Sequence, residues 1–147
     1  MAAVSVSTLR TRVATAIDAV TGFTEASQPY GIFGRDPGSV LHKRFCVGAP
    51  STDPGGDRQR VTDGMQVNTT VAVVFTYRLS PKDQITDYGS ALDAEEDLIQ
   101  AVMAQNSTLW ADCSIRFGSI ADRRVEAAGE WFTGEVRFVI SHRLPLS

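Results

Sequence analysis

Apolar positions along this chain recur at two distinct periods, and those periods mark its elements. Between Ser7 and Val20, the residues Leu9, Val13, Ala16, Ile17 and Val20 return every three or four positions while Arg10, Arg12 and Asp18 fall off the stripe. That spacing predicts an amphipathic helix, with Ser5 or Ser7 placed to cap it and Gly22 to end it. From Val67 to Leu79 the period becomes two: Val71, Val73, Phe75 and Tyr77 share one side, and Thr70, Ala72, Val74 and Thr76 the other. Both sides are apolar or small at the centre, which predicts a central strand with a helix on one face and another covered surface opposite. The helical period returns over Asp87 to Ala104, with Tyr88, Leu92, Ile99, Val102 and Met103 on one face and Asp93, Glu96, Asp97 and Gln100 elsewhere.

Shorter patterns fill the remainder. Ser39 to Gly48 and Asp112 to Ile120 read as strands, and a further strand region begins near Val61. Trp131 to Leu144 alternates Phe132, Gly134, Val136, Phe138 and Ile140 against Trp131, Glu135, Arg137 and Val139, and Pro145 ends the ladder because it has no N–H to donate. Two stretches lack periodicity. Gly22 to Gly38 carries Gly and Pro around Phe23, Tyr30, Ile32 and Phe33, as an ordered loop pinned by aromatics would. Ala49 to Arg60 (APSTDPGGDRQR) reads as an exposed loop with turns at Asp53 to Gly56, and another turn is expected around Ala127 to Gly129. The resulting order, α-β-β-β-α-β-β, predicts one α+β domain over residues 1–147. A central mixed or antiparallel sheet would carry two helices on one face, without the regular strand-helix alternation of doubly wound nucleotide-binding folds.

Composition narrows the function classes. At 43% hydrophobic and 21% charged residues the chain is ordinary globular material with enough apolar side chains for a core. A net charge of −3 gives no overall attraction for a nucleic-acid backbone or an anionic membrane, although a local basic patch is compatible with it. The longest strongly apolar run, Val71 to Phe75, is far short of the roughly 20 residues that cross a bilayer. No signal-peptide pattern opens the chain and Cys46 and Cys113 lack CxxC spacing, so reduced thiols in an intracellular protein are expected.

Little in the sequence resembles a reaction centre. His42 and His142 have no Cys, His or Asp at metal-ligand spacing and read as surface or edge-strand residues, able to approach each other only if the first and last strands pair. Cys46 and Cys113 sit in apolar strands that would bury them as inert thiols. No GxSxG elbow, GxxxxGK[ST] or GxGxxG occurs, so neither a hydrolase nucleophile nor a phosphate cradle is expected, and no catalytic residue, metal or cofactor is assigned. Two charged groupings stand out. Asp93, Glu95, Glu96 and Asp97 are expected on the first turns of the second helix as a solvated acidic face. Arg58, Arg60, Arg123 and Arg124 could oppose them across a subunit boundary, while His42, Lys43 and Arg44 could join Arg58 and Arg60 in a basic strip.

Three segments, HKRFCVG, VNTTVAVVFTYRLSPKDQITDYGSALDAEEDLIQAV and GEWFTGEVRFVISHRL, in this element order, resemble the tail terminator proteins of long-tailed phages, the family of the lambda minor tail protein U. The resemblance covers most of the chain. It implies a non-enzymatic virion protein, assembled in the host cytoplasm, that forms a ring, usually a hexamer. Such a ring caps the tail tube, stops its polymerisation and presents a surface to the neck. Its implied partners are further copies of itself, the tail tube protein and a neck or head-completion protein. The residues expected at those interfaces are Tyr30, Phe33 and Arg35 of the first loop, Arg58 and Arg60 of the second, the acidic Asp93, Glu95 and Glu96, and Arg123 and Arg124. Arg58 and Arg60 could alternatively line a lumen and touch passing DNA transiently, without sequence preference. Another head-tail connector or neck completion protein is the alternative within that class. A small-ligand-binding α+β domain is the alternative outside it, and would need a convergent polar cluster among apolar pocket residues.

Overall fold

A computed structural model describes residues 3–25, 42–55, 60–61, 64–104, 110–126 and 130–145. Eight elements follow one another: α1 (Val6–Asp18), β1 (Thr24–Glu25), β2 (Arg44–Pro54), β3 (Arg60–Val61), β4 (Gly64–Arg78), α2 (Gln84–Met103), β5 (Ser114–Glu126) and β6 (Trp131–Leu144). The strands form one sheet in the order β1-β2-β4-β6-β5, with β3 paired to the start of β4. Among the described residues only β1 and β2 run parallel, and the other pairs are antiparallel. The expected class is therefore the observed one: α+β, a mixed sheet, and both helices on a single face.

Alternation decides what that face buries. Val71, Val73 and Phe75 of β4 lie in register with Phe138, Val136 and Gly134 of β6, so their side chains point the same way, together with Phe45 and Val47 of β2. Onto them pack Leu9, Val13, Ala16 and Ile17 of α1 and Ala91, Leu98 and Val102 of α2. Burying each large side chain fully contributes about 1.5–3 kcal/mol, so this layer is the main source of stability. Gly134 has a steric reason to be glycine. A Cβ there would come within 2.6 Å of the Phe75 ring, which crosses this point to meet Phe132 at 5.7 Å between centroids.

The opposite face differs from expectation. Both helices lie on the other side, so among the described residues the face built from Thr70, Ala72, Thr133, Val139 and Ser141 carries no helix, and these residues are half-buried. Only one end of it, with Cys46, Val74, Thr76 and Trp131, is buried. An antiparallel sheet tolerates this because small and polar side chains can face water while the ladder satisfies the backbone.

Element limits differ in informative ways. Ser5, rather than Ser7, caps α1, its Oγ accepting from the Thr8 N–H at 3.2 Å. Val20 lies just beyond the helix, and Gly22 takes φ +90°, a conformation in which glycine is unstrained. The first predicted strand starts later and runs further: His42 and Lys43 form a turn, residues 39–41 are outside the described set, and β2 continues through Ala49–Pro54, read from sequence as loop. Register explains the extension, since Ser51 to Pro54 pair with Thr70 to Val67 after an irregularity between Gly48 and Ser51 that accommodates Pro50. Proline is admissible here because this length of β2 is an edge, where its missing N–H breaks no ladder bond. The start of the first predicted loop supplies β1, while residues 26–38 and the turn at 127–129 lie outside the described residues. β5 runs six residues beyond the predicted end at Ile120 and bends at two irregularities, whereas β6 occupies its predicted span.

Candidate assembly surface

The second helix sets the geometry of the surface. Residues Pro81 and Lys82 form a turn, and Asp83 stands at the N-cap without a side-chain cap bond. Asp87, in the first turn, instead reaches back and accepts the Ser80 N–H at 2.6 Å, placing a carboxylate at the positive end of the helix dipole. Because α2 begins at Gln84, the cluster Asp93, Glu95, Glu96 and Asp97 lies in its middle, not on its first turns. Its buried face is Ala91, Ala94, Glu95, Leu98 and Val102; Leu92 and Ile99 are half-buried, and Tyr88 and Met103, expected inside, are exposed.

Glu95 thus leaves the expected solvated face. It is fully buried, and its Oε1 accepts from Arg123 Nε at 3.0 Å and Nη2 at 2.5 Å, while Oε2 has no hydrogen-bond partner among the described residues. Hydrogen bonding to Glu95 holds the Arg123 guanidinium above its ordinary pKa. The pair joins α2 to β5 within one chain. Arg124, on the other side of β5, bonds Asp122 at 2.7 Å. Asp93, Glu96 and Asp97 remain exposed along the outer side of α2. Tyr30, Phe33, Arg35 and Arg58 lie outside the described residues, and of Arg60 only the backbone is described, paired with Met65.

Two concavities flank the N-terminal end of α2. One, of about 240 Å³, is lined by Leu79, Gln84, Ile85, Tyr88 and Val125. Ile85 is 91% exposed and Val125 49%. The other, of about 460 Å³, is of mixed character and lined by His42, Tyr77, Arg78, Ser80, Pro81 and Asp87. The Arg78 N–H donates to His42 Nδ1 at 3.0 Å, so the neutral imidazole carries its proton on Nε2, and the ring meets Tyr77 edge-on at 4.5 Å. Burial first, then Lys43 and Arg78, lower the His42 pKa.

The two histidines do not meet. β4 separates β2 from β6, and His142 lies at the far end of β4, opposite Val67. It is fully buried rather than at a surface: Nδ1 donates to the Val4 carbonyl at 2.9 Å, and Nε2 accepts from the Thr69 hydroxyl at 2.6 Å, which in turn lies 3.1 Å from that of Thr52. Burial lowers its pKa. Parity along β6 already pointed there, since 142 continues the inward series 136, 138, 140. Cys46 and Cys113 are buried free thiols, with burial pushing Cys46 up to about 11, so neither is a reactive thiolate near neutral pH. Among the described residues no group of three or more His, Cys, Asp or Glu side chains is arranged to hold a metal. No helix of the described residues is long and apolar enough to cross a membrane.

Neither a family model nor a curated protein matches this sequence.

Proposed function

We propose that this chain is a structural subunit of a phage tail, a terminator that closes into a ring on the end of the tail tube, stops its growth and offers the neck a surface to join. The observation that carries the reading is the exposed apolar concavity around Ile85, Tyr88 and Val125, set on a rigid helix-sheet corner. A protein partner that covered Ile85 and Val125 would bury apolar side chains now open to water, which is favourable. The resemblance of the β4–α2 and β6 segments to tail terminators supplies the identity of the assembly. In this reading β4 and β6 give rigidity, and partners are the tube protein, a neck protein and further copies of the chain, with no catalytic step.

The test is functional. Tube protein polymerised with this chain present should give tubes of limited length with the chain at one end, seen by negative-stain microscopy. Tubes of unlimited length, with no end-bound density, would reject the capping role; binding to a head or neck particle in place of the tube end would favour a neck completion protein. The concavity at His42, Tyr77 and Arg78 favours a second reading, a small-ligand-binding domain, since its lining sets ionisable and hydroxyl side chains beside an aromatic ring and its imidazole is held by the Arg78 N–H. A screen of small anions by thermal shift checks it: a saturable stabilisation abolished by Arg78→Ala would support that reading over assembly.

A further inference from the structure

The sheet ends in two edges of opposite character. On the β2 side, β1 pairs with Arg44 and Phe45, and the outer length Ala49–Pro54 carries Pro50 and Pro54 among exposed small and polar residues. Prolines in such a place blunt an edge against pairing with another chain. β5, at the opposite edge, is 13 residues long and contains no proline, and among the described residues no strand stands on its outer side. Its outward N–H and C=O groups are therefore open to another backbone. The ladder to β6 slips at Gly118 and at Ala121, which bends β5 but leaves Ser114–Phe117 and Asp122–Glu126 in regular register.

Side chains repeat the contrast. Register sets Phe117 and Val125 beside Phe138 and Phe132 on the helix-facing side. Both β6 partners are fully buried, yet Phe117 is 41% and Val125 49% exposed, whereas Phe45 and Val47 of β2 are buried. The apolar layer is closed at one edge and left open at the other. Val125 also lines the hollow that it shares with Ile85 and Tyr88 of α2. Of the arginines of β5, Arg123 and Arg124 are held by Glu95 and Asp122. Arg116, on the face away from the helices, is exposed and forms no salt bridge among the described residues.

We propose that β5 is a docking edge that takes an extended segment of a partner protein as a further strand, its alternate apolar side chains covering Phe117 and Val125 and acidic ones between them lying on the Arg116 side. The edge itself fixes the class of occupant, because only another extended backbone offers donors and acceptors at the spacing of a strand. Covering the two exposed side chains supplies hydrophobic stabilisation. A carboxylate opposite or diagonal to Arg116 makes a cross-strand ion pair that the described chain does not supply. The inference does not rest on the tail-terminator reading: its test needs neither ring nor tube, so strand addition and tube capping can fail separately.

The probe is an acetylated, amidated peptide of about ten residues alternating valine and glutamate, long enough to follow most of β5. It is titrated into the full chain, with fluorescence anisotropy of a labelled copy and amide hydrogen exchange as readouts. Binding should saturate and protect amides within Ser114–Glu126 while leaving Ala49–Pro54 unchanged. N-methylating every valine, or every glutamate, blocks the N–H groups along one edge of the peptide, so one methylated peptide should lose binding and the other keep it. Phe117→Ser combined with Val125→Thr should weaken binding roughly tenfold. Arg116→Glu should weaken it several-fold and strengthen binding of the valine–lysine counterpart. Whatever these substitutions do to stability, the methylated pair tests the edge on the wild-type chain. Equal behaviour of the two methylated peptides, saturation without protection of β5, or no saturable binding at all overturns strand addition, and a wild type that prefers the lysine peptide overturns the acidic character of the partner.

Discussion

The two faces of one strand, β4, teach how this molecule divides its tasks. Toward the helices, Val71, Val73 and Phe75 are fully buried among apolar partners from both helices and three strands. Toward the other side, Thr70 and Ala72 on the same strand stay half-buried under no helix. Stability is concentrated on one face, so the other face and the rim can change residue identity without unfolding the domain. The charged and apolar surface proposed for assembly lies at that rim, where α2 and β5 meet.

Substitutions should break this asymmetry in order of size. Phe75→Ala removes a ring packed on Phe132 and Phe23 and should cost about 3–5 kcal/mol in urea unfolding, enough to leave much of the population unfolded. Arg123→Ala strands the buried Glu95 carboxylate and should cost about 3 kcal/mol, whereas Glu95→Leu should be neutral or stabilising, because replacing a buried ion pair with apolar contact avoids desolvation. If both changes cost the same, the pair is not governed by burial of the acid. Gly134→Ala sets a Cβ against the Phe75 ring and should cost about 1–3 kcal/mol, a direct measure of how tightly the covered face is packed. Acid should act next. His142 has a lowered pKa in the folded state, so the unfolded chain binds its proton more readily; stability is full above the ordinary histidine value of about 6.5 and falls as pH drops through it. A thermal midpoint that does not decline across that window, or a decline unchanged in His142→Gln, would show that this histidine is not the cause. Thr70→Ala on the open face should change unfolding free energy by no more than about 0.5 kcal/mol, and a larger loss would mean that something covers this face.

Long periodic segments were legible because their spacing is itself the packing instruction. β6 and the inward set of β4 could be read directly from alternation, and α1 from a stripe whose first four members are all buried. The inner face of α2 departs from the predicted one because Ala91 and Ala94 bury as well as larger residues while contributing little to a hydrophobicity pattern, and because Glu95, an acid expected in water, is buried. The spacing 91, 95, 98, 102 nonetheless runs straight through Glu95, and only Arg123, 28 positions away in sequence, makes its burial tolerable. β2 was cut short for a different reason: Pro50 and Pro54 signal turns locally, yet an edge strand accepts them once β4 provides a ladder. Of the residues expected at interfaces, Asp93 and Glu96 are exposed, while Glu95 and Arg123 are joined inside the chain.

The position of β6 has a bearing on how the protein is made. It is the last strand in sequence but sits between β4 and β5, and the Val4 N–H donates to the Arg143 carbonyl while the Val4 carbonyl accepts from His142. During synthesis, β4 with its VAVVF run therefore emerges with one edge unpaired and stays so until more than sixty further residues have been added. The domain cannot close in stages from its N-terminal end. Its folding is held back until the final strand is released, and in that interval the nascent chain is most exposed to aggregation and most in need of chaperone cover.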